Sequence, residues 1–284
     1  MGALEIIRSS TGIFKILLRN GSAPPLLWHY FQDSLYYLLI SRGVLRGPAA
    51  HISQVRADFE QRAKQGQFRR TWFDHNITQW CVVFARTFQR TDPVRILEIG
   101  SYEGRSTVFL LTYFPNGTLT AVDTWAGSDE HVCAADGREG DNGLQSCSRG
   151  ELLSLESRFD ANLEPFAGRM TKIRGSSLRV LPQLLDEKQE FDLIYVDGSH
   201  FADDVLADGI NAWRLLTPNG VLIFDDLVWN FYPRAHDNPA WPVNILLKFH
   251  SGKYKILSAA GNQLLLKKLL EPTERAITAS AWPA

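Results

Sequence analysis

The chain has 284 residues, of which 45% are hydrophobic, so it is long enough to bury the core of one large domain with an appended segment. Its 30 basic and 31 acidic residues leave a formal net charge of −1, which provides no general attraction to nucleic acid or to an anionic membrane. Small or neutral partners are therefore favoured, and nucleic acid is not expected among them.

Three cysteines occur, Cys81, Cys133 and Cys147, and their spacing matches no zinc site and no C-x-x-C motif. Free thiols in a reducing compartment are the expected state, which predicts a cytoplasmic protein. Cys133 and Cys147 flank a polar, glycine-rich stretch, and their pairing under oxidation is the alternative that the sequence leaves open.

Two apolar segments lie near the start of the chain, at 6–18 and 26–40. Polar and charged residues, among them Arg8 and Asp33, interrupt both segments, so neither reaches the roughly 20 clean apolar residues of a membrane span. Apolar residues at helical spacing favour helices that pack on another surface. We therefore predict that residues 1–70 form a helical extension that covers the main domain or forms a homodimer.

From residue 94 onward, short apolar strands alternate with amphipathic helices, which is typical of a parallel α/β sheet. The predicted strands are 94–99, 118–123, 169–174, 191–197 and 220–225, and the predicted helices lie near 105–114, 150–163, 178–187, 202–216 and 240–251. An antiparallel hairpin is predicted next, from 253–258 and 263–268 around Ala260-Gly261-Asn262. Residues 124–150, rich in glycine and polar residues, predict a long loop that either covers a site or has no role.

The first predicted strand runs directly into a turn that contains Gly100 and Gly104. Glycines at such a turn let the backbone bend sharply and pass close to a ligand. Dinucleotide-binding enzymes use the spacing G-x-G-x-x-G, whereas the spacing here is G-x-x-x-G. An adenosine-type ligand without a pyrophosphate is therefore favoured.

Acidic residues stand at the ends of four predicted strands. In open α/β sheets ligands bind outside the carboxyl ends of the strands, so these side chains are candidates for a binding site. A single acid at such a position often caps a helix, but five acids at four strand ends favour a shared function. They are Glu98, Asp123, Asp197, Asp225 and Asp226.

The motifs around these acids resemble those of the class I S-adenosylmethionine-dependent methyltransferases, over about residues 70–268. They are Glu98-Ile-Gly100-Ser-Tyr102-Glu-Gly104-Arg-Ser106, Ala-Val-Asp123-Thr-Trp125, Arg-Gly175-Ser-Ser177, Tyr-Val-Asp197-Gly-Ser-His200 and Ile-Phe-Asp225-Asp226. Within that class the chain is similar to the metal-dependent, catechol-type O-methyltransferases and to a bacterial subgroup with the Asp-Gly-Ser-His motif. The resemblance implies a doubly wound, Rossmann-like sheet of parallel strands with a C-terminal antiparallel hairpin. It implies three segments: the extension 1–70, a methyltransferase domain at 71–270 and a tail at 271–284.

The resemblance also implies which residues bind the cofactor, S-adenosylmethionine. Glu98 would attract its ammonium group, and Asp123 would accept hydrogen bonds from both ribose hydroxyls. Tyr102, Ser106 and Trp125 are equally consistent with packing or capping. The full predicted set is Glu98, Gly100, Ser101, Tyr102, Gly104, Ser106, Asp123, Trp125, Ser177 and Asp197.

By the same resemblance Asp197, Asp225 and Asp226 would hold magnesium (Mg2+), a hard cation that prefers oxygen ligands. His200 stands where catechol-type enzymes carry a lysine base, and an imidazole is a good base near neutral pH. Asp197 and His200 are thus the predicted catalytic residues. The alternatives are a metal-free site and a capping role for His200.

Aromatic and histidine residues outside these motifs predict where the acceptor binds, although each also suits core packing. They are His75, Trp229 and Tyr232. The expected function is methyl transfer to a hydroxyl of a small metabolite, in specialised metabolism. Metal-independent N- or O-methylation and a noncatalytic scaffold that acts through the N-terminal helices are the alternatives.

Overall fold

The computed structural model describes residues 12–129, 131 and 148–270. These residues form a seven-stranded sheet from β1 (Arg95–Ile99), β2 (Thr118–Asp123), β3 (Met170–Arg174), β4 (Phe191–Val196), β5 (Leu216–Phe224), β6 (Tyr254–Ala260) and β7 (Gln263–Lys268). The strand order is β3-β2-β1-β4-β5-β7-β6. Strands β1 to β5 pair in parallel and β7 pairs antiparallel with both β5 and β6, which confirms the predicted Rossmann-like sheet with its terminal hairpin.

Helices cover both faces of this sheet. They are α1 (residues 12–19), α2 (Pro24–Ser41), α3 (Ala49–Ala63), α4 (Ile77–Thr87), α5 (Arg105–Tyr113), α6 (Arg149–Leu153), α7 (Leu155–Leu163), α8 (Ser177–Asp186), α9 (Ala202–Leu215) and α10 (Ala240–Phe249). Short 3₁₀ turns lie at Trp72–Asn76, Glu164–Arg169 and Ala235–Asp237. Among the described residues, none of these helices combines the length and apolar character needed to cross a membrane.

The central strands are apolar on both sides because the sheet is buried on both faces. In β1, Ile96 packs into the core that contains α3, α4 and α5, whereas Leu97 and Ile99 pack into the core of the opposite face. In β4, Tyr195 belongs to the first core and Ile194 to the second. Because β1, β2, β4 and β5 run parallel, the polar residues at their carboxyl ends lie at one common edge of the sheet.

The predicted helix at 150–163 is wrong in one respect, because the structure divides it at Ser154 into α6 and α7. The Ser154 hydroxyl donates to the Gly150 carbonyl at 2.8 Å, and it also accepts a hydrogen bond from the Arg158 guanidinium. Serine hydroxyls compete with the backbone ladder in this way and interrupt helices. The strand predicted at 220–225 begins earlier, at Leu216, where it pairs with Phe191 before a register shift.

The N-terminal helices pack on the sheet edge and on α5. Helix α2 covers the edge strand β6, where the Asp33 carboxylate accepts a hydrogen bond from the Ala259 backbone N–H at 2.8 Å. An edge N–H that is paired in this way is no longer available to another strand. Helix α3 packs on α5 through Phe59 and Phe109, whose ring centroids are 5.5 Å apart. The domain boundary at residue 70 and the homodimer stay predictions.

Some predictions fall on residues outside the described part of the chain. They are most of the 124–150 loop, the pairing of Cys133 with Cys147, and the tail at 271–284. Cys81 is a free, buried thiol in α4, and burial raises its pKa to about 12.

A buried ion pair joins Glu103, in the glycine turn after β1, to Arg158 of α7. The same carboxylate also binds the backbone that precedes the 3₁₀ turn Trp72–Asn76. Glu103 is 2% exposed, and its carboxylate accepts from the Arg158 guanidinium at 2.9 Å and from the Arg69 and Arg70 backbone N–H groups at 2.8 and 3.2 Å. The Asn162 amide donates to the Glu103 carbonyl at 2.8 Å. One carboxylate therefore connects the turn, α7 and the chain that leads into the site.

We expect Glu103→Gln to lower the free energy of unfolding by about 3 kcal/mol or more, because it leaves the buried Arg158 guanidinium without its counter-charge. Chemical denaturation measures the loss. Asp237→Asn is the matched control, since it removes the charge from a surface pair whose Arg234 side chain is 80% exposed, and it should change the free energy of unfolding by less than about 1 kcal/mol. A Glu103→Gln variant as stable as the wild type would contradict the structural role of this pair.

Candidate active site

The turn after β1 requires glycine for contacts within the chain. Gly100 has φ +86°, and a Cβ there would lie 2.0 Å from the Asp197 carbonyl oxygen. Gly104 has φ +78°, and a Cβ there would lie 2.3 Å from a methyl carbon of Leu163. Both glycines thus allow other parts of the chain to approach, and at Gly100 this brings the end of β1 against the end of β4.

Glu98 is fully buried at the end of β1. Its carboxylate accepts hydrogen bonds from the Ser106 hydroxyl at 2.5 Å and from the Thr107 hydroxyl, both in the first turn of α5. Burial raises the pKa of Glu98 to about 7, against the lowering effect of these donors. Thr107 was not among the predicted site residues. Ser106 was predicted, and its hydroxyl contacts Glu98. The acid is therefore held rigidly within the turn.

Asp123 lies at the end of β2 beside the same turn. Its carboxylate accepts from the Tyr102 backbone N–H at 2.8 Å and from the Trp125 backbone N–H at 2.6 Å. Burial raises its pKa, and these backbone donors act in the opposite direction. The two backbone donors fix the Asp123 carboxylate at the cavity wall. Asp123 is the residue that the sequence analysis expects to bind the ribose hydroxyls.

Trp125 itself packs away from the cavity. It has φ +50°, is 4% exposed, and lies against Phe159 at a centroid distance of 4.8 Å. Its indole N–H donates to the Tyr102 carbonyl at 3.0 Å. The structure thus places Trp125 beneath the turn, in the packing role that the sequence left open, and its predicted part in cofactor binding stays a prediction.

One cavity of about 620 Å³ opens at the carboxyl edge of the parallel strands. It brings together ten of the predicted residues: His75, Gly100, Tyr102, Asp123, Ser177, Asp197, His200, Asp225, Asp226 and Trp229. A smaller adjoining cleft is lined by Ser101 and Ser106. Tyr232 lies at the margin, where its hydroxyl donates to the carboxylate of the lining residue Asp129 at 3.2 Å. Residues from distant parts of the sequence therefore share one site.

Asp225 is saturated by donors from the protein. One of its oxygens, Oδ2, accepts from the Gln263 amide at 2.8 Å, from the Asn76 amide at 3.2 Å and from the Tyr195 hydroxyl. The same hydroxyl also lies 2.8 Å from Asp197 Oδ2. Sequence reasoning missed these three partners, because no short motif connects a 3₁₀ turn, a strand interior and a terminal hairpin.

Asp197, His200 and Asp226 are less enclosed by donors. His200 Nε2 lies 3.1 Å from Asp226 Oδ2 and 3.9 Å from Asp197 Oδ1. One ligand atom from each residue lies within 4.8 Å of the others, which is a spacing that can hold a metal ion. Burial and the neighbouring Asp225 raise the pKa of Asp197 well above its usual range. The predicted metal site included Asp225, whereas the grouped atoms come from Asp197, His200 and Asp226.

A further acid, Asp208 of α9, lies fully buried beside the site. A Cβ on Gly198 would lie 3.6 Å from its carboxylate, and Ser177 interacts with it from the start of α8. Burial raises the pKa of Asp208 to about 7, and Asp204 adds to this effect. The sequence contained no motif that singled out this residue.

The raised pKa of Asp208 predicts a pH-dependent effect of Asp208→Asn on stability. Between pH 4 and pH 7 the folded carboxyl keeps a proton that the unfolded chain has lost, so this residue makes the wild type less stable as the pH rises through that window. Its contribution is at most about 1.4 kcal/mol per pH unit. Relative to the wild type, Asp208→Asn should therefore be more stable at pH 8 than at pH 5.

Urea denaturation at both pH values measures this difference. Asp203→Asn is the control, because Asp203 is exposed on the same helix. Equal effects of Asp208→Asn at pH 5 and pH 8 would contradict a buried carboxyl that keeps its proton.

The sheet is parallel from β1 to β5, β7 is antiparallel, and the cavity lies at the carboxyl ends of the parallel strands. Residues 97–227 match the protein-family model described as a methyltransferase domain. The match covers slightly less than half of the chain, and the matched range contains the glycine turn and all five predicted strand-end acids.

One curated relative, uncharacterized protein y4gI of Sinorhizobium fredii (strain NBRC 101917 / NGR234), is 30% identical over 138 residues. The match covers 47% of this chain and 13% of that protein. The chain therefore corresponds to a small part of that relative's length.

Solved structures with a similar fold include the methyltransferase MycE in complex with Mg, SAH and mycinamycin VI, at 15% identity and a TM-score of 0.49. That match covers 78% of this chain and 57% of MycE. An O-methyltransferase from Bacillus cereus in complex with SAH has 16% identity and a TM-score of 0.46, over 86% of this chain and 100% of that one. These similarities are too distant to indicate a substrate.

Proposed function

We propose that this protein is an S-adenosylmethionine-dependent methyltransferase that transfers a methyl group to a hydroxyl of a small acceptor. The observation that carries the proposal is the presence, in one cavity, of Asp123 beside the glycine turn and of the grouped residues Asp197, His200 and Asp226. The first group suits a ribose, and the second suits a reacting hydroxyl.

The residues near the turn fit the cofactor. The Asp123 carboxylate is fixed by two backbone N–H groups and has acceptor capacity left for ribose hydroxyls. Glu98, whose pKa is raised to about 7 by burial, would be stabilised in its charged form by a nearby ammonium group. Ser177 begins α8 on the same cavity wall, where it would meet the adenine edge.

We expect the wild type to bind S-adenosylhomocysteine, and Asp123→Asn to weaken this binding about tenfold or more, because charged hydrogen bonds to the ribose are lost. Isothermal titration calorimetry measures both affinities. Asp192→Asn is the matched control, since Asp192 lies in β4 and is held by Arg95. The cofactor assignment fails if the wild type does not bind or if Asp123→Asn binds equally well.

The strand-end acids fit a divalent cation such as magnesium. Asp197 and Asp226 offer carboxylate oxygens of the kind that magnesium prefers, and the proximity of several acids is unfavourable without a cation. Asp225 accepts from three protein donors, so we place it behind the metal ligands as their support. When bound, the metal would supply electrostatic activation of the acceptor hydroxyl.

In this proposal His200 removes the proton from that hydroxyl. Its Nε2 faces Asp226 at 3.1 Å, and an acid beside an imidazole orients the ring and stabilises its protonated form. As the proton moves to His200, the acceptor oxygen attacks the methyl carbon of the sulfonium in line. The bond between sulfur and that carbon breaks, which leaves S-adenosylhomocysteine and the methyl ether.

We expect His200→Gln to lower kcat by roughly 100-fold or more, the usual contribution of a general base, and to leave S-adenosylhomocysteine affinity unchanged. His236→Gln is the matched control, since His236 stacks on Trp241 outside the cavity lining. Steady-state kinetics and calorimetry give the two readouts. A His200→Gln variant with wild-type kcat would exclude the base role.

We expect Mg2+ to raise the melting temperature of the wild type and not that of Asp226→Asn, because the variant loses a charged ligand. A chelator should abolish methyl transfer. If activity persists fully in chelator and Mg2+ leaves the melting temperature unchanged, the metal-independent alternative is correct.

A further inference from the structure

A buried tyrosine joins helix α2 to the turn of the terminal hairpin. Tyr30 is 2% exposed, and its hydroxyl donates to the carbonyl of Gly261, between β6 and β7. The Tyr30 ring also packs edge-on against Phe14 of α1, at a centroid distance of 6.0 Å. A buried hydroxyl without a partner is unfavourable, so this hydrogen bond favours one position of the turn relative to α2.

The next residue of the turn, Asn262, is bonded to the loop that follows β5. Its side-chain amide donates to the Asp226 carboxylate at 3.1 Å, and its backbone carbonyl accepts from the Leu227 N–H at 2.7 Å. Asn262 also lines the cavity. One residue of the turn therefore holds two adjacent residues of the loop that carries a candidate metal ligand.

Asp226 depends on such contacts because its backbone lies in the left-handed region, with φ +50°. A residue other than glycine is less stable there than in the helical or extended regions, and it keeps this conformation only when its surroundings impose it. In this conformation the Asp226 carboxylate lies 3.1 Å from His200 Nε2. If the contacts from Asn262 loosened, Asp226 would return to a more stable conformation and its carboxylate would move away from His200.

We propose that helix α2 is a positioning element of the candidate active site. Tyr30 fixes the turn, and the turn, through Asn262, holds Asp226 in the conformation that sets its carboxylate beside His200. Tyr30 and Asn262 are thus positioning residues, and none of the described residues before Trp72 lines the cavity itself. This inference rests on the proposed function and gives the N-terminal extension a part in maintaining the metal affinity of the site.

Mg2+ affinity, measured by calorimetry on the full chain with saturating S-adenosylhomocysteine, tests this proposal. We expect Asn262→Ala to weaken Mg2+ binding about tenfold or more, the usual effect of losing a group that orients a metal ligand. Tyr30→Phe, which removes only the hydroxyl, should weaken it about threefold. Because Tyr30 acts through Asn262, the double variant should bind Mg2+ about as tightly as Asn262→Ala alone.

Tyr37→Phe is the matched control, because it removes the same kind of contact between the same two elements at a different place. The Tyr37 hydroxyl of α2 lies 3.0 Å from the Ser258 hydroxyl of β6, and Ser258 keeps a second hydrogen bond, from the Gln79 amide at 3.1 Å. This variant leaves the turn in place, so we expect wild-type Mg2+ affinity. All variants should bind S-adenosylhomocysteine as the wild type does, which verifies that they are folded.

Amide hydrogen exchange gives a second readout, which requires neither metal nor activity. The Leu227 N–H is protected by the carbonyl of Asn262, so we expect it to exchange faster in Tyr30→Phe than in the wild type or in Tyr37→Phe. A tyrosine that merely stabilised α2 would not give this difference between the two variants.

The proposal is overturned if Tyr30→Phe leaves exchange at Leu227 unchanged, if Tyr30→Phe and Tyr37→Phe reduce Mg2+ affinity equally, or if the effects of Tyr30→Phe and Asn262→Ala add in the double variant. A wild type that does not bind Mg2+ is a different result, because it overturns the metal in the proposed function, and exchange at Leu227 still decides whether Tyr30 holds the turn. A wild type that does not bind S-adenosylhomocysteine overturns the cofactor assignment.

Discussion

The convergence of carboxyl groups at one edge of the sheet is the constraint on which the rest of this structure depends. Burial and mutual repulsion make such groups unfavourable unless donors compensate each one. The chain compensates them unequally. Glu98 accepts from two hydroxyls, Asp123 from two backbone N–H groups and Asp225 from three side chains. Asp197 and Asp226 each meet fewer donors, the Tyr195 hydroxyl and the Asn262 amide respectively, and both lie near His200.

The donors for Asp225 explain why elements outside the parallel strands belong to the site. Asn76 comes from the 3₁₀ turn before α4, and Gln263 comes from the terminal hairpin. Gln263 is itself oriented by Trp80, whose indole N–H donates to its side-chain oxygen at 2.7 Å. A buried donor that loses its partner destabilises the fold. Because these donors share one network, a change to one of them affects the position of the others. The hairpin therefore completes the sheet and also positions the candidate active site.

Sequence patterns predicted most of the fold, because a sheet that is buried on both faces requires continuous apolar strands. Such strands can be recognised in the sequence alone. The strand ends at Glu98, Asp123 and Asp197 were located for the same reason. The break at Ser154 was not predicted, since it depends on a hydroxyl that also meets Arg158. The inward packing of Trp125 was equally hidden, because a positive φ turns its indole beneath Tyr102.

The sequence by itself determined the order of strands and helices, the glycine turn and the acids that follow the strands, because these properties depend on neighbours along the chain. Only the tertiary structure decided which acid is saturated and which faces the histidine. It also placed Asp129 against Tyr232, and Asp208 in full burial beside Gly198. The physical reason is that hydrogen bonds, desolvation and charge act over a few ångströms in space, between residues that lie far apart in the chain.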